Sequence, residues 1–199
     1  PGPLDMNVVI RDLSEKLGPN DIVTLDAGNF AQWVQRYYPF KGFRTQIGPT
    51  GGAMGYGIPA GVAAALIYPD ALVVTFVGDG GFMMTSNEMA TAVQYRANLV
   101  IIVVNNGMFG TIRAHQERRF PGRPHGTDLV NPDFVAMAEA IGFAAFRVSK
   151  TNDISAKFDL ALKNDGPALV ELVLDSEAIS TRTSLSNIRE TAQILTNTR

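Results

Sequence analysis

A single carboxylate stands among glycines where an apolar run of the sequence ends. Residues 73–84 read VVTFVGDGGFMM, so the β-branched residues stop at Gly78, and Asp79 is followed directly by Gly80 and Gly81. Glycines in such a turn let the backbone approach an anion closely, and a helix that starts there presents unpaired N–H groups. Because an aspartate repels a bare phosphate, its presence favours a cation between carboxylate and phosphate. A plain strand-to-helix turn is the alternative interpretation.

A second polar cluster ends the next apolar run. LVIIVVNN closes with Asn105 and Asn106 and is followed by Gly107. If the two runs are adjacent parallel strands, an amide oxygen lies beside Asp79, and the separation of the motifs suits one crossover helix and a returning strand. Hard cations such as Mg²⁺ take oxygen ligands of this kind and leave other positions to diphosphate oxygens. Asn-Gly alone would indicate only a turn.

The elements that must position these residues alternate between short β-rich runs and segments of helical period, which predicts an α/β fold. The near-continuously apolar strands indicate a doubly wound, mainly parallel sheet with helices on both faces. We predict strands at residues 22–26, 45–47, 72–77, 99–105, 144–148 and 168–174. We predict helices at residues 6–17, 30–38, 54–66, 86–95, 132–141 and 154–162.

Local signals support several helix boundaries. Thr85 with Glu88 three residues later is typical of a capping box, and Asn131 before a proline is typical of a helix cap. Gly142 is a good helix terminator.

Two stretches lack a sustained period. Residues 113–131 carry two prolines and two glycines and are predicted to be mostly an exposed loop. Residues from 180 onward are polar and threonine-rich, which predicts an extended tail with a short amphipathic piece. We therefore predict one domain over residues 1–179 and a tail over residues 180–199.

Composition argues against several classes of function. A length of 199 residues suits one domain. The 17 basic and 19 acidic residues give a net charge of -2 without long runs of like charge, so neither nucleic acid nor a membrane surface is expected as a partner. The absence of cysteine removes disulfides, thiolate metal sites and cysteine nucleophiles, and it fits a cytoplasmic setting. The apolar runs fall short of the roughly 20 residues that span a bilayer.

The paired motif indicates a family. GDG at residues 78–80, followed by NN at residues 105–106, resembles the diphosphate motif of thiamine diphosphate (ThDP) enzymes, which begins GDG and ends NN. The segments TQIGPTGGAMGYGIPAGVAAAL, GDGGFMMTSNEMATAVQY and VVNNGMFGTIR resemble the cofactor-diphosphate (PP) domain of the acetolactate synthase and benzoylformate decarboxylase group. The similarity extends over residues 5–174. Either half of the motif alone would be weak evidence for the family.

The resemblance implies a magnesium site. Asp79 and the Asn106 side chain would bind Mg²⁺, with the Met108 main-chain carbonyl as the third protein ligand. The glycines of the motif would form the cradle of the diphosphate, with backbone N–H groups offered by the last two: Gly78, Gly80 and Gly81.

The resemblance also implies how the cofactor rings are held. Met54 in GGAMGYG matches the bulky apolar residue that wedges between the two rings and forces the V conformation; a plain core methionine is the alternative. The Gly52 carbonyl would accept from the pyrimidine amino group, and the Met54 N–H would donate to a ring nitrogen. Residues 26–29 end an earlier strand and are expected to line the cofactor cleft. For Asn29 a helix N-cap is an equal alternative.

The sequence departs from the family pattern where substrate is recognised. True acetolactate synthases carry a tryptophan in the helix after the asparagine pair, and that position is His115; the glutamate of yeast-type pyruvate decarboxylases matches Ile112. His115 and His125 could contact substrate or shuttle a proton, or simply be solvated. Four arginines could attract an anionic 2-oxo acid or solvate the loop: Arg113, Arg118, Arg119 and Arg123.

The resemblance implies an enzyme: a ThDP- and Mg²⁺-dependent 2-oxo acid decarboxylase or carboligase, hence a lyase or transferase, working as a homodimer or homotetramer. In the family a separate amino-terminal pyrimidine-binding domain of another subunit supplies the activating glutamate. The 199 residues contain no such domain and begin with PGPLD, so we expect a carboxyl-terminal piece of a longer enzyme that is inactive alone. An FAD-binding domain elsewhere stays open.

Three other identities fit parts of the sequence. The chain could be the natural small subunit of a two-chain enzyme similar to sulfopyruvate decarboxylase. It could also be a non-catalytic ThDP-binding module, although retention of both Asp79 and Asn106 counts against a decayed site. A nicotinamide-dependent Rossmann enzyme is poorly supported, because Met83 stands where the third glycine of its fingerprint should fall.

Overall fold

The computed structural model describes residues 4–197, apart from the side chain of the last of these. The strands within this range are β1 (Ile22–Leu25), β2 (Gln46–Ile47), β3 (Val73–Gly78), β4 (Leu99–Asn105), β5 (Ala144–Val148) and β6 (Ala168–Val173). Its α-helices are α1 (Met6–Lys16), α2 (Ala31–Tyr37), α3 (Gly57–Ile67), α4 (Asp79–Thr85), α5 (Met89–Gln94), α6 (Gly110–Arg119), α7 (Phe134–Ile141), α8 (Ile154–Leu162) and α9 (Leu185–Asn197). Within the described range, no helix has the length and apolar character needed to cross a membrane.

The strands form one six-stranded sheet in the order β2-β1-β3-β4-β6-β5, and every pair is parallel. This confirms the predicted α/β fold. β3 and β4 run side by side from Val73 opposite Leu99 to Gly78 opposite Val104. Because the two strands end level with each other, Asp79 follows one strand beside the asparagine pair that ends the next.

Each face of the sheet buries its own hydrophobic cluster. Side chains alternate along a strand, so Val74 and Phe76 of β3 pack on the face covered by α1, α2 and α8. Val73 and Val77 pack on the opposite face, which α3, α5 and α7 cover. Since both faces are covered, the central strands must be apolar throughout, and that pattern predicts them from the sequence.

The direction of winding reverses between β1 and β3. From β1 the chain passes through α2 to the edge strand β2, and it then returns through α3 to β3 on the other side of β1. The helices that follow β1 and β3 therefore leave toward opposite faces and open a crevice at the carboxyl ends of these strands. Doubly wound sheets bind their ligands at such a topological switch point.

A helix begins directly after β3, earlier than the sequence predicts. α4 starts at Asp79, and a 3₁₀ turn separates it from α5, where one helix over residues 86–95 is predicted. The predicted capping box is wrong, because the Thr85 hydroxyl donates to the Gly55 carbonyl (3.0 Å) and makes no cap. Two glycines in α4 lower its intrinsic helix propensity, which hides this helix from sequence patterns.

Residues 113–131 are only partly the exposed loop that the sequence predicts. α6 extends through residue 119, and its Arg113 is 7% exposed, donates to Thr127 Oγ1 (2.6 Å) and pairs with Asp128. Met108 forms an antiparallel bridge with Asp128, so the loop folds back along the helix. α6 lacks an apolar period, and tertiary contacts of this kind stabilise it.

The cap of α7 differs from the predicted one. The helix begins at Phe134, and the Asp133 carboxylate accepts hydrogen bonds from the amides of Val135 (3.1 Å) and Ala136 (3.2 Å). The prediction that Asn131 is the cap is wrong. Gly142 ends α7 with φ of 110°, as predicted.

The segment from residue 180 is not an extended tail, because α9 forms most of it and its amphipathic piece is longer than predicted. α9 packs against α6 through a cluster of Met108, Ala114, Ile179, Leu185 and Ile188, which we call the C-terminal cluster. The proposed division at residue 179 stays a prediction.

A buried ion pair also joins α6 to α9. The fully buried Glu117 carboxylate accepts from Arg189 Nε (3.0 Å) and Nη2 (2.8 Å) and from the Gly122 amide (2.8 Å). The hydrogen bonds from Arg189 hold the pKa of Glu117 below its usual value.

Replacing Arg189 by methionine is expected to loosen α9. The substitution leaves the buried Glu117 carboxylate without its hydrogen-bonded cation, and breaking a buried pair in this way costs about 3–5 kcal/mol. Because the Arg189 side chain is 34% exposed, we expect the lower end of that range. Hydrogen exchange followed by mass spectrometry should show faster exchange across α9 than in the parent protein.

Arg96→Met is the matched control for this experiment. Arg96 pairs with Asp165 on the surface, with side-chain exposures of 70% and 93%, and such pairs contribute at most about 1 kcal/mol. The control should leave exchange of α9 unchanged. Parent-like protection of α9 in Arg189→Met would show that the ion pair does not hold the helix.

The same ion pair predicts that α9 loosens in acid. The pKa of Glu117 is lowered in the folded protein relative to an unfolded value of about 4.3, so the ionised carboxylate stabilises the docked helix. This contribution is complete above the unfolded pKa and is lost as the pH falls through the folded one. Exchange of α9, corrected for intrinsic rates, should stay slow down to about pH 5 and accelerate below about pH 4. Glu117→Gln should remove this pH dependence.

Candidate functional site

A cavity of about 240 Å³ opens at the carboxyl ends of β1, β3 and β4. It lies at the topological switch point of the sheet. The residues predicted to bind a cofactor or a metal all line it: Asn29, Gly52, Met54, Gly78, Asp79, Gly80, Gly81, Asn106 and Met108. Residues from separate stretches of the sequence thus meet in one place.

Asp79 is the charged group at the centre of this cavity wall. It is 2% exposed, and its Oδ2 accepts from the Gly107 amide (2.9 Å) and from Asn131 Nδ2 (2.8 Å). Its Oδ1 accepts from the Gly80 amide (3.0 Å). Burial raises the pKa of the Asp79 carboxyl, because these hydrogen bonds only partly replace the water that it loses. A cation at this carboxylate would favour the ionised form.

Asn106 and Met108 lie beside Asp79 in the turn between β4 and α6. Asn106 Oδ1 accepts from the Met108 amide (3.3 Å), which leaves a second lone pair on this oxygen for another partner. Gly107 adopts a positive φ of 69°, and its amide reaches both Asp79 Oδ2 and Asn105 Oδ1 (3.2 Å). The two asparagines therefore differ in role. Asn106 lines the cavity, whereas the Asn105 side chain bonds to the Gly107 amide and to Glu171.

The oxygen set of this wall fits a hard cation. Among the described residues, no group of three or more His, Cys, Asp or Glu side chains is placed to hold a metal. A cation here would take one carboxylate oxygen, one amide oxygen and a backbone carbonyl, and diphosphate oxygens would complete its shell. Mg²⁺ binds in this way, through one or two carboxylates and substrate phosphates.

Packing against neighbouring side chains leaves no room for a Cβ in the glycine turn. A Cβ at residue 81 would lie 2.1 Å from Asp26 Oδ2, and one at residue 80 would lie 2.5 Å from Phe109 Cε1. Glycine at these positions lets α4 start against two neighbouring side chains. The first amides of α4 have no backbone partner within the helix, and that of Gly80 donates to Asp79 Oδ1 (3.0 Å).

Asp26 lies behind the cavity and fixes the turn that carries Met54. It is 1% exposed, and its carboxylate accepts from the amides of Gly55 (3.0 Å) and Tyr56 (3.0 Å). α3 begins only at Gly57, so Met54 lies in a turn and not at the predicted helix start. Of residues 26–29, the last three line the cavity, whereas Asp26 supports it from beneath.

Asn29 connects the cavity to the C-terminal segment. The N-cap alternative is wrong, since α2 has no side-chain cap, and Asn29 Nδ2 donates instead to the Ile179 carbonyl (3.2 Å). Asn29 also borders a second cleft of about 280 Å³ between α6 and the segment before α9.

His115 lies in this second cleft and does not line the first cavity. Arg118 and Arg182 are its basic neighbours there. Ile112, the other position where the sequence departs from the family pattern, does line the first cavity. His125 lies apart in the loop, where Gln116 bonds both its amide (3.0 Å) and its carbonyl (2.8 Å). A role of His115 toward substrate stays a prediction.

Sequence reasoning missed Asn131. The structure brings its amide group within 2.8 Å of Asp79 Oδ2 and 3.0 Å of Asn105 Oδ1, although it lies 52 residues from Asp79. The only local signal is the following proline, which favours a cap. Nothing in the spacing of the residues connects Asn131 to the strand ends.

The composition of this site agrees with a match to a known domain family. Residues 26–172 match the family described as thiamine pyrophosphate enzyme, C-terminal TPP binding domain. The chain belongs to this family. Thiamine pyrophosphate is another name for thiamine diphosphate, so the family resemblance seen in the sequence is confirmed.

Relatives of the chain include acetolactate synthases from several organisms. It is 35% identical over 156 residues to the mitochondrial catalytic subunit of Aspergillus candidus, an alignment that covers 78% of this chain and 22% of the relative. It is 34% identical over 173 residues to that of Saccharomyces cerevisiae (85% and 25%). It is 31% identical over 170 residues to the isozyme 2 large subunit of Escherichia coli (84% and 31%). The chain thus spans less than a third of the length of these relatives.

Substituting Gly81 by alanine is expected to destabilise the protein. The added methyl group meets Asp26, whose carboxylate is already held by two amides, and overpacking of this kind costs about 1–3 kcal/mol. Urea unfolding should show a lower midpoint.

Gly51→Ala is the control, because no atom lies within 4 Å of its added Cβ. Alanine favours a helix over glycine by about 1 kcal/mol, so a stabilised Gly81→Ala protein would mean that the contact with Asp26 is relieved without cost.

Proposed function

We propose that this chain forms the half of an active site that holds the diphosphate end of thiamine diphosphate, with Mg²⁺, in an enzyme that acts on 2-oxo acids. The observation that carries the proposal is the buried Asp79 carboxylate, placed beside Asn106 and a glycine turn in the switch-point cavity. Membership of the ThDP-binding family supports the cofactor. The oxygen ligands of the wall support magnesium.

Each group in the cavity has a distinct task in this proposal. Asp79, the Asn106 side chain and the Met108 carbonyl hold Mg²⁺. The Gly81 amide would bind a diphosphate oxygen, whereas the Gly80 amide already donates to Asp79 Oδ1. The N-terminal end of α4 adds favourable charge there. The Asp26 carboxylate holds the turn of Met54 rigid from behind, so that this side chain stays at one position in the cavity wall.

The region of the cavity nearest the rings is shaped by Gly52 and Met54. The Gly52 carbonyl would accept a hydrogen bond from the amino group of the pyrimidine ring, and the Met54 side chain would pack between the two rings. When bound, thiamine diphosphate supplies the carbanion chemistry that lets a 2-oxo acid lose carbon dioxide. Val104 and Ile112 contribute apolar residues to the cavity wall.

The reaction is that of a decarboxylase or carboligase, and therefore of a lyase or transferase. The acetolactate synthase relatives support the carboligase side. His115 stands where true acetolactate synthases have tryptophan, so a polar group replaces a large ring in the second cleft. His115 lies beside Arg118 and Arg182, and a positive cleft of this kind attracts carboxylates.

The complete site requires a pyrimidine-binding domain, on the same chain or another, in a homodimer or homotetramer. Apolar side chains stand exposed around the cavity region, with Met83 at 47% and Met84 at 51% on α4 and Tyr56 at 39% in the adjoining turn. A partner domain that covers them would bury the pyrimidine ring as well.

Asp79→Asn is expected to weaken cofactor binding by about 100-fold in the full-length protein. The substitution keeps the shape of the side chain but removes the charge that attracts the cation; losing even an outer partner of a metal site costs about 10–100-fold. Isothermal titration with ThDP at saturating Mg²⁺ measures the effect. Asp70→Ala, in an exposed turn, should bind like the parent.

Equal affinity of the parent and Asp79→Asn would refute the metal assignment. A panel of 2-oxo acids tests the catalytic proposal separately. We expect release of carbon dioxide from at least one of them. A full-length protein that binds Mg²⁺ and ThDP yet releases none would be a non-catalytic binding module.

A further inference from the structure

Asn131 joins the two strand-end turns of the site through a single side-chain amide. Its Nδ2 donates to Asp79 Oδ2 (2.8 Å) after β3 and to Asn105 Oδ1 (3.0 Å) at the end of β4. An amide NH₂ has two hydrogens, so both are used. Asn131 itself belongs to neither turn, because it comes from the loop before α7.

These contacts leave the two oxygens of Asp79 unequal. Oδ2 receives hydrogen bonds from Asn131 Nδ2 and from the Gly107 amide, whereas Oδ1 receives one from another residue, the Gly80 amide. A carboxylate has about four lone-pair sites, two on each oxygen. Oδ2 therefore carries two hydrogen bonds from other residues and Oδ1 carries one, which makes Oδ1 the oxygen with more room for a cation.

The orientation of Asn131 is set by a series of hydrogen bonds that runs from β4 through β6 to the edge strand β5. Arg147 Nε donates to Glu171 Oε2 (2.6 Å), and Glu171 Oε1 accepts from Asn105 Nδ2 (2.8 Å). The amide group of Asn105 must then present its oxygen to Asn131. In turn Asn131 must present its nitrogen, since both of its partners are oxygen acceptors.

The loop that carries Asn131 is anchored by the same arginine. Arg147 Nη2 donates to Asp133 Oδ1 (2.6 Å), and Asp133 caps α7 two residues after Asn131. Glu171 is 3% exposed, so one end of this hydrogen-bond series is fixed in the core of the sheet. The position of Asn131 is thus determined by β5, β6 and α7.

We propose that Asn131 is a positioning residue for the cation: by occupying Asp79 Oδ2 it makes Asp79 a ligand through Oδ1 alone. The inference rests on the proposed function, since it concerns the same metal. It adds a residue outside the paired motif and a reason for preferring one cation over another.

The preference follows from coordination chemistry. Mg²⁺ requires nearly ideal octahedral geometry, whereas Ca²⁺ takes six to eight oxygens in flexible arrangements and accepts a bidentate carboxylate. Without Asn131, Oδ2 regains a free lone pair and the carboxylate can turn. That freedom lowers the affinity for Mg²⁺, whereas Ca²⁺ tolerates it or gains a second carboxylate oxygen as a ligand. Asn131 therefore makes the site selective for Mg²⁺.

The test compares Asn131→Ala with the parent in the full-length protein, by calorimetric titration of Mg²⁺ and of Ca²⁺ in the presence of ThDP. We expect Mg²⁺ affinity to fall about 10–100-fold, as for other outer partners of metal ligands, and Ca²⁺ affinity to fall much less. If Asn131→Ala does not fold, Asn131→Ser takes its place, because serine keeps one hydrogen-bond donor. Its Mg²⁺ affinity should also fall more than its Ca²⁺ affinity.

Asn98→Ala is the matched control. Asn98 Nδ2 also donates to a carbonyl, that of Ala71 (3.1 Å), but at the opposite end of the sheet, before β4 begins. It should leave both affinities unchanged. Equal losses for the two cations in Asn131→Ala, or no loss for either, would overturn the positioning role. Failure of the parent to bind Mg²⁺ with ThDP would instead overturn the proposed function.

Discussion

A buried carboxylate that must be satisfied without water constrains this whole structure. Asp79 is enclosed at the end of β3, and its oxygens are met by donors from the turn after β4 and from the loop before α7. An ionised group left unpaired in such a place costs several kcal/mol. The parallel pairing of β3 with β4, with both strands ending level, is what brings those donors within reach. In the proposed function, the same geometry makes Asp79 Oδ1 the oxygen that binds the cation.

A second buried carboxylate has a complementary role on the neighbouring strand. Asp26 follows β1 and binds the two amides that shape the turn of Met54, while α4 packs against it through a residue that has no side chain, Gly81. The two carboxylates stand on either side of the switch point. Asp79 faces the cavity and Asp26 faces the backbone, so Asp79 is available to a ligand and Asp26 holds the cavity wall in shape.

The C-terminal segment closes this region from a third side. Glu117 on α6 forms an ion pair with Arg189 on α9, and the Ile179 carbonyl accepts a hydrogen bond from the side chain of Asn29 in the cavity wall. α6 starts at the cavity and ends near the ion pair, so the docking of α9 supports the helix that carries Ile112 and His115. In the proposed function, the recognition of substrate therefore depends on how α9 packs.

Much of the fold and of the site can be predicted from the sequence, because short-range patterns encode it. Apolar runs predict every strand to within about two residues, and the glycine and asparagine motifs at the ends of two of them indicate a diphosphate and metal site. Sequence patterns do not reveal α4 and α6, since glycines or scattered charges obscure their helical period. They also predict Asn131 as a helix cap and place Arg113 in a solvated loop. Their roles depend on partners that are 14 or more residues away. The sequence by itself determined which strands form and which residues end them; only tertiary packing decided which side chains meet there, because hydrogen-bond partners are chosen by distance in space and not along the chain.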